Sequence, residues 1–300
     1  MLIRIGSRGS ALALWQAEHV RQRLAALGHE ATIRVIITTG DRIQDRRLDV
    51  VGGKGAFLKE IEEAMLAEEV DLAVHSLKDV PTALPAGLRL CAVLERADPR
   101  DALLSRAGLG LKKLPAGARV GTASLRRRAQ VGALRPDLVL QDLRGNVDTR
   151  IRKLGEGECD ALLLAVAGLE RLGRRGEATE VLEPDVFLPA PGQGAIALEC
   201  RQGDESVASA AGPLRHAPTE RAVAAERALL AGLHGGCNVP LGAYAQEERE
   251  GGAVRLTAFV ARPDGSGLLR GQARDADPLR AGAALAEQLL ARGAGELMRG

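Results

Sequence analysis

A chain of 300 residues with 46% apolar side chains can bury more than one core. Its net charge of +2 and aromatic content of 2% supply neither the basic field nor the stacking platforms of a nucleic-acid-binding protein. The longest apolar run, Ala161 to Leu169, spans nine residues, and the N-terminus shows no long apolar segment, so no membrane partner and a cytoplasmic location are expected.

The charge is skewed in kind. Of 41 cationic residues 35 are arginine, the side chain suited to bidentate contact with carboxylates and phosphates. Four cysteines (Cys91, Cys159, Cys200 and Cys237) lie far apart, with no C-x-x-C pair and no histidine cluster. No metal site and no disulfide framework are expected, in keeping with a reducing compartment.

Leu2 to Gly6 alternates like a strand and runs into Ser7-Arg8-Gly9-Ser10, where Ser10 can cap a helix carrying Leu12, Trp15, His19 or Val20, and Leu24 at helical spacing. Arg8 then falls at the strand's carboxyl end beside a helix N-terminus, a place where open α/β sheets bind anions. Ala31 to Thr38 reads as a second strand. The polar run 39–47 and the glycines around Val51-Gly52-Gly53-Lys54-Gly55 read as a loop or lid. A helix is expected over Phe57 to Leu66 and a buried strand over Asp71 to His75. That strand ends in Ser76-Leu77-Lys78-Asp79-Val80-Pro81, which sets a hydroxyl, an ammonium and a carboxylate on one turn. Leu88 to Leu94 is a further strand, and 97–101 is the first interdomain crossing.

The next segment repeats this logic. Ala118 to Gly121 reads as a strand, Thr122 and Ser124 offer hydroxyls, and Leu125-Arg126-Arg127-Arg128 opens a helix. Three cations there oppose the helix dipole, so an anion is expected in front of them; Arg126 and Arg127 can share it, leaving Arg128 solvated. After the strand Leu138 to Leu140, Gly145 permits a turn and Asn146 a cap, so Arg144 and Arg150 can converge on one edge. Asp160 to Val166 is a strand, followed by Arg171. Pro189 to Gly194, with Gln193, is the second crossing. Gly192-x-Gly194-x-x-Ala197 precedes a strand, Ala195 to Cys200, instead of opening a helix, so it is no dinucleotide fingerprint. A helix near Pro218 to Leu233 leads to His234-Gly235-Gly236-Cys237-Asn238-Val239-Pro240, a tight loop presenting one thiol. Three strands and an alanine-rich helix, Leu279 to Arg292, close a small α+β domain.

The chain resembles the hydroxymethylbilane synthase (porphobilinogen deaminase) family over nearly its whole length. The resemblance is carried, in order, by Arg8-x-Ser10 with Ala13-Leu14-Trp15-Gln16, Val51 to Gly55, Ala73 to Pro81, and Gly121-Thr122-Ala123-Ser124-Leu125-Arg126-Arg127. Leu143-Arg144-Gly145-Asn146-Val147 with Arg150, Ala165 to Leu169, Pro191 to Gly194 and Gly235-Gly236-Cys237 complete it. It implies an α/β fold of two similar lobes of the solute-binding-protein type (1–96 with 195–214, and 99–191) and a smaller C-terminal α+β domain, 216–300, carrying the cysteine. It also implies a dipyrromethane cofactor, thioether-linked to Cys237, on which four porphobilinogen molecules are condensed with loss of ammonia before hydroxymethylbilane is hydrolysed off.

Each pyrrole brings an acetate and a propionate, which calls for arginines. By motif position Asp79 is the catalytic carboxylate. The cofactor would be held by Ser76, Lys78, Asp79, Thr122, Ser124, Arg126, Arg127, Arg144 and Gly145, with Arg8, Ser10, Gln16, Arg150, Arg171 and Gln193 serving the substrate. No metal and no nucleic acid is implied, and a monomer is expected. Val50, Ala123 and His234 depart from residues frequent in the family. A solute-binding protein would share the lobes but be expected to carry an export signal and have no use for Cys237, and a regulatory ligand-binding domain would be expected to carry a helix-turn-helix with a basic face before Leu2.

Overall fold

The computed structural model describes residues 1–42, 57–233, 239–248 and 252–299. Val50, the greater part of the expected lid, His234 and Cys237 lie outside the described residues. The first stretch forms β1 (Leu2–Ser7), α1 (Ala11–Ala26), β2 (Glu30–Val35) and the short α2 (Thr39–Arg42). Next come α3 (Lys59–Leu66), β3 (Leu72–Ser76) and β4 (Leu88–Val93). The middle of the chain gives β5 (Asp101–Ser105), β6 (Arg119–Gly121), α4 (Leu125–Leu134), β7 (Val139–Gln141) and α5 (Val147–Gly155). It continues with β8 (Ala161–Ala165), α6 (Val166–Arg171), β9 (Glu180–Leu182), β10 (Ile196–Arg201) and α7 (Glu205–Ala211). The last stretch holds α8 (Ala217–Gly232), β11 (Leu241–Glu247), β12 (Val254–Ala261), β13 (Leu268–Asp275), α9 (Pro278–Ala291) and α10 (Ala294–Arg299).

Contacts divide the chain into two units, Met1–Ala97 with Gly194–Glu220, and Asp98–Gln193 with Arg221–Gly300. The first unit holds a sheet in the order β2-β1-β3-β10-β4, with β1, β2 and β3 parallel and β10 antiparallel to both its neighbours. The second holds β7-β6-β8-β5-β9, with β6, β7 and β8 parallel and β5 antiparallel to both its neighbours. The two lobes therefore share one plan, and in each the antiparallel strand is the one that follows a crossing. Both sheets are covered on two faces, which is why Leu72 to Val74 of β3 and the whole of β8 read as apolar runs. On the first sheet, Ile3, Ile5 and Leu198 pack under α1 and α7, while Ala73 packs under α3.

The second unit also contains the antiparallel meander β11-β12-β13, which buries Leu256 and Val260 against Leu229 of α8 and Leu285 of α9. Phe259 of this sheet packs with Ala129 of α4 and Leu188, joining the small domain to the second lobe. Mixed α/β architecture with two sheet lobes and a small C-terminal sheet domain is thus present as expected. Local differences have local causes. β2 stops at Val35 instead of Thr38, because the Thr38 hydroxyl donates to Asp41 at 2.7 Å and its carbonyl accepts from the Asp41 N–H, opening α2. Residue 101, taken as the end of the crossing, opens strand β5, which lies between β8 and β9.

Candidate active site

In the first unit the candidates gather at the carboxyl ends of the parallel strands β1 and β3. Ser10 caps α1, its hydroxyl accepting from Ala13 N at 3.3 Å. Arg8, just past β1, donates through Nη2 to Asp41 at 2.5 Å and lies 4.2 Å from the centre of the Phe57 ring. Burial pushes the Asp41 carboxyl up, but Arg8 and Thr38 outweigh it and hold the group below its ordinary range. Gln16, buried on α1, donates to the Ser76 hydroxyl at 2.9 Å, so these two candidates are brought together.

Beyond Ser76 a single 3-10 turn, Leu77–Asp79, presents Lys78 and Asp79. Leu77 and Val80 point inward as anchors, exposed by 1% and 4%, while Leu77 N bonds the Ala195 carbonyl at 3.0 Å. Lys78 and Asp79 are half-buried, and among the described residues Asp79 makes no ion pair. A local salt bridge therefore does not account for this carboxylate.

In the second unit the candidates again follow parallel strands. After β6, the Thr122 hydroxyl accepts from Ser124 N at 3.2 Å. Ser124 stands at the cap position of α4, yet its hydroxyl makes no capping bond. The anion expected before the arginines is present, and it is the protein's own. Asp101, fully buried at the start of β5, accepts from Arg126 Nη1 at 2.7 Å and from Arg127 Nη2 at 2.7 Å. Arg126 also donates to the Leu188 carbonyl and Arg127 to the Leu163 carbonyl. Burial pushes the Asp101 carboxyl up, and the two guanidinium groups more than offset it, holding the group far below its usual range. Arg126 keeps one buried Nε–H without a partner. Arg128 is half-buried, not solvated, donating to the Leu140 carbonyl at 3.3 Å.

After β7, buried Leu143 anchors the turn, Gly145 has φ +116°, and the Asn146 side chain caps α5 by accepting from Thr149 N at 2.9 Å. Arg144 pairs with Asp142 at 3.0 Å. Arg150, on α5, donates to the Gly145 carbonyl at 2.8 Å, which brings its guanidinium to the turn that carries Arg144. Arg171 ends α6, where burial pulls its guanidinium down to about 10. Gln193, 1% exposed, donates to the Pro99 carbonyl at 2.7 Å and to Asp101 at 3.0 Å, linking the second crossing to the residues of the first.

Two organising residues escaped the sequence reading. Asp101 is one; Glu226 is the other, a buried carboxylate on α8 that accepts from Gly192 N at 2.6 Å and Ala245 N at 2.8 Å. Only the unanswered arginine run could have announced Asp101. Nothing in the sequence around Glu226 marks it.

The model described as "Porphobilinogen deaminase, dipyromethane cofactor binding domain" matches residues 3–209, and that of the porphobilinogen deaminase C-terminal domain matches residues 221–291. The chain belongs to the porphobilinogen deaminase family. Its relatives include the porphobilinogen deaminase of Brevibacillus brevis, 49% identical over 98% of this chain and 96% of that protein. The Roseiflexus sp. porphobilinogen deaminase is 51% identical over 99% and 98%. Members of the family, also called hydroxymethylbilane synthases, are enzymes that join pyrroles in tetrapyrrole biosynthesis. Among solved structures, a TRAP periplasmic solute binding protein from Desulfovibrio salexigens overlaps with a TM-score of 0.45, at 10% identity, over 73% of this chain and 74% of its own. An ancestral arginine-binding protein overlaps with a TM-score of 0.41, at 13% identity, over 71% and 90%.

Proposed function

We propose that this enzyme condenses four porphobilinogen molecules head to tail, releasing one ammonia at each step, on a dipyrromethane primer held through a thioether at Cys237. Water then releases hydroxymethylbilane. The working molecule is a cytoplasmic monomer with lobes 1–96 plus 195–214 and 99–191, and a third domain, 216–300, that carries the cysteine.

The residues present fit an acid-bearing pyrrole primer. Ser124 has a hydroxyl uncommitted to capping, and Arg126 has a buried N–H without a partner. At Gly145 a side chain would meet Thr149 at 2.6 Å. When bound, the primer supplies the nucleophilic pyrrole carbon. Ser76, Lys78, Thr122, Ser124, Arg126, Arg127, Arg144 and Gly145 bind and orient its acid groups. Arg8, Ser10, Gln16, Arg150, Arg171 and Gln193 receive the substrate. Asp79 moves the protons: it donates to the leaving amine, then balances the positive charge left on the pyrrole, and removes the proton displaced when the new carbon–carbon bond forms.

One observation carries this reading: Asp79 sits on an anchored turn and is not committed to an ion pair among the described residues. Asp79→Asn keeps the shape and removes the proton shuttle. Turnover of porphobilinogen should fall at least about a hundredfold, while the thermal unfolding curve stays where it was. Near-normal turnover in the variant would sink the assignment.

A further inference from the structure

Cys91 and Cys200 lie apart in sequence but together in the first unit. They stand on adjacent antiparallel strands, β4 and β10, whose register shifts between the pairs Leu198↔Ala92 and Glu199↔Leu90. Cys91 is the extra residue of that bulge, and Cys200 is paired with Arg89. A bulge re-aims the side chain it carries. Here it brings Cys91 onto the face of the sheet that Cys200 occupies, against Val207 and Ala211 of α7.

The Cys91 thiol donates to the Leu198 carbonyl at 3.5 Å, and Cys91 packs against the same core cluster that contains Cys200. The Arg89 guanidinium stands beside the Cys200 sulfur, with Nη2 paired to Glu205 at 2.7 Å. The neighbouring Cys91 brings the Cys200 thiol down to about 7; burial opposes it, and Arg89 helps. The other proton of the pair is held more tightly, mainly through the same contact. Cys200 is fully buried and Cys91 half-buried.

We propose that Cys91 and Cys200 form a redox-active dithiol that hydrogen peroxide closes to a cross-strand disulfide. One sulfur, as thiolate, attacks the O–O bond, becomes a sulfenic acid and releases the other oxygen as water. The second thiol displaces the sulfenic hydroxyl as a further water. Two thiols and one peroxide become one disulfide and two waters, the sulfurs giving up two electrons and the peroxide taking them. The bond joins β4, which leads the chain out of this unit after Ala97, to β10, which receives it from Gly194. Asp79, on the turn after β3, is left chemically unchanged.

The test uses full-length, pre-reduced protein exposed to equimolar hydrogen peroxide, read by intact mass and by a non-reduced peptide map. The mass should fall by about 2 Da as two hydrogens leave. The map should contain one cross-linked peptide joining Cys91 to Cys200, which dithiothreitol abolishes. Cys91→Ser and Cys200→Ala should each lose the cross-link, and the parent result stands even if one of them folds poorly. Gains of about 16 or 32 Da without a cross-link, a bridge to Cys159 or Cys237 instead, or an unchanged mass would each overturn the proposal. Porphobilinogen turnover does not enter the readout, so its outcome is independent of the function proposed above.

Discussion

The Asp101 carboxylate is fully buried and answers two guanidinium groups at once, each at 2.7 Å, while accepting a further bond from Gln193 at 3.0 Å. Burying three charges is costly, and the arrangement holds only while the acceptor remains ionised. Asp101→Asn would leave two like charges facing each other with no counter-charge. Its free energy of unfolding should drop by about 3–5 kcal/mol, the range for breaking a buried ion pair from one side, measured by denaturant titration. The pH dependence has a definite sign. Because the folded-state pKa is depressed, the contribution is complete above the unfolded value of 3.8 and is lost only as pH falls through the lower folded value. The gap between parent and variant should therefore be flat from about pH 5 to pH 8. A variant as stable as the parent would show that Asp101 does not organise the arginines.

At the scale of elements, the turn between β7 and α5 shows what a sequence discloses. Gly145 and Asn146 were legible because a glycine before a capping residue has a local reason to be there, and the structure finds φ +116° and the cap in place. Gly145→Ala meets two obstacles, the left-handed backbone and Thr149 at 2.6 Å. It should destabilise the protein by about 1–3 kcal/mol and displace Arg150, whose Nε bonds the Gly145 carbonyl. An unchanged unfolding midpoint would contradict this. Leu72 to Val74 of β3 and the whole of β8 were legible as apolar runs because burial on two faces leaves no alternation to confuse. β5 and β9 were not, since three to five residues beside prolines and charges carry too little pattern, and their pairing partner is supplied by distant chain. Asp101 was hidden for the same reason: Arg126 and Arg127 announced that an anion was needed, but which acidic residue supplied it depended on how β5 enters the sheet. The motif carrying Asp79 was visible in the sequence; that the carboxylate escapes pairing with Lys78 was not.

Across the whole molecule the decisive quantity is charge. Each added pyrrole brings two carboxylates, and a contact between one of them and a guanidinium at roughly 4 Å, with an effective dielectric near 20, is worth about 4 kcal/mol before desolvation is subtracted. Arginines therefore differ in the stage at which they are needed and in what else they hold. Arg126 and Arg127 are locked to Asp101, so leucine at either position should both lower stability and leave the protein without its primer. Arg8, Arg150 and Arg171 stand outside that cluster. Arg8 pairs with half-buried Asp41, Arg150 holds a backbone carbonyl, and burial has already weakened the hold of Arg171 on its proton. Leucine at these three should leave the primer in place and stall growth as carboxylates accumulate. After brief exposure to porphobilinogen, intact-mass spectra should show a ladder of adducts whose dominant rung depends on which arginine was removed. If all three variants instead give bare, primer-free protein, or the parent's ladder unchanged, the arginines are not divided by stage.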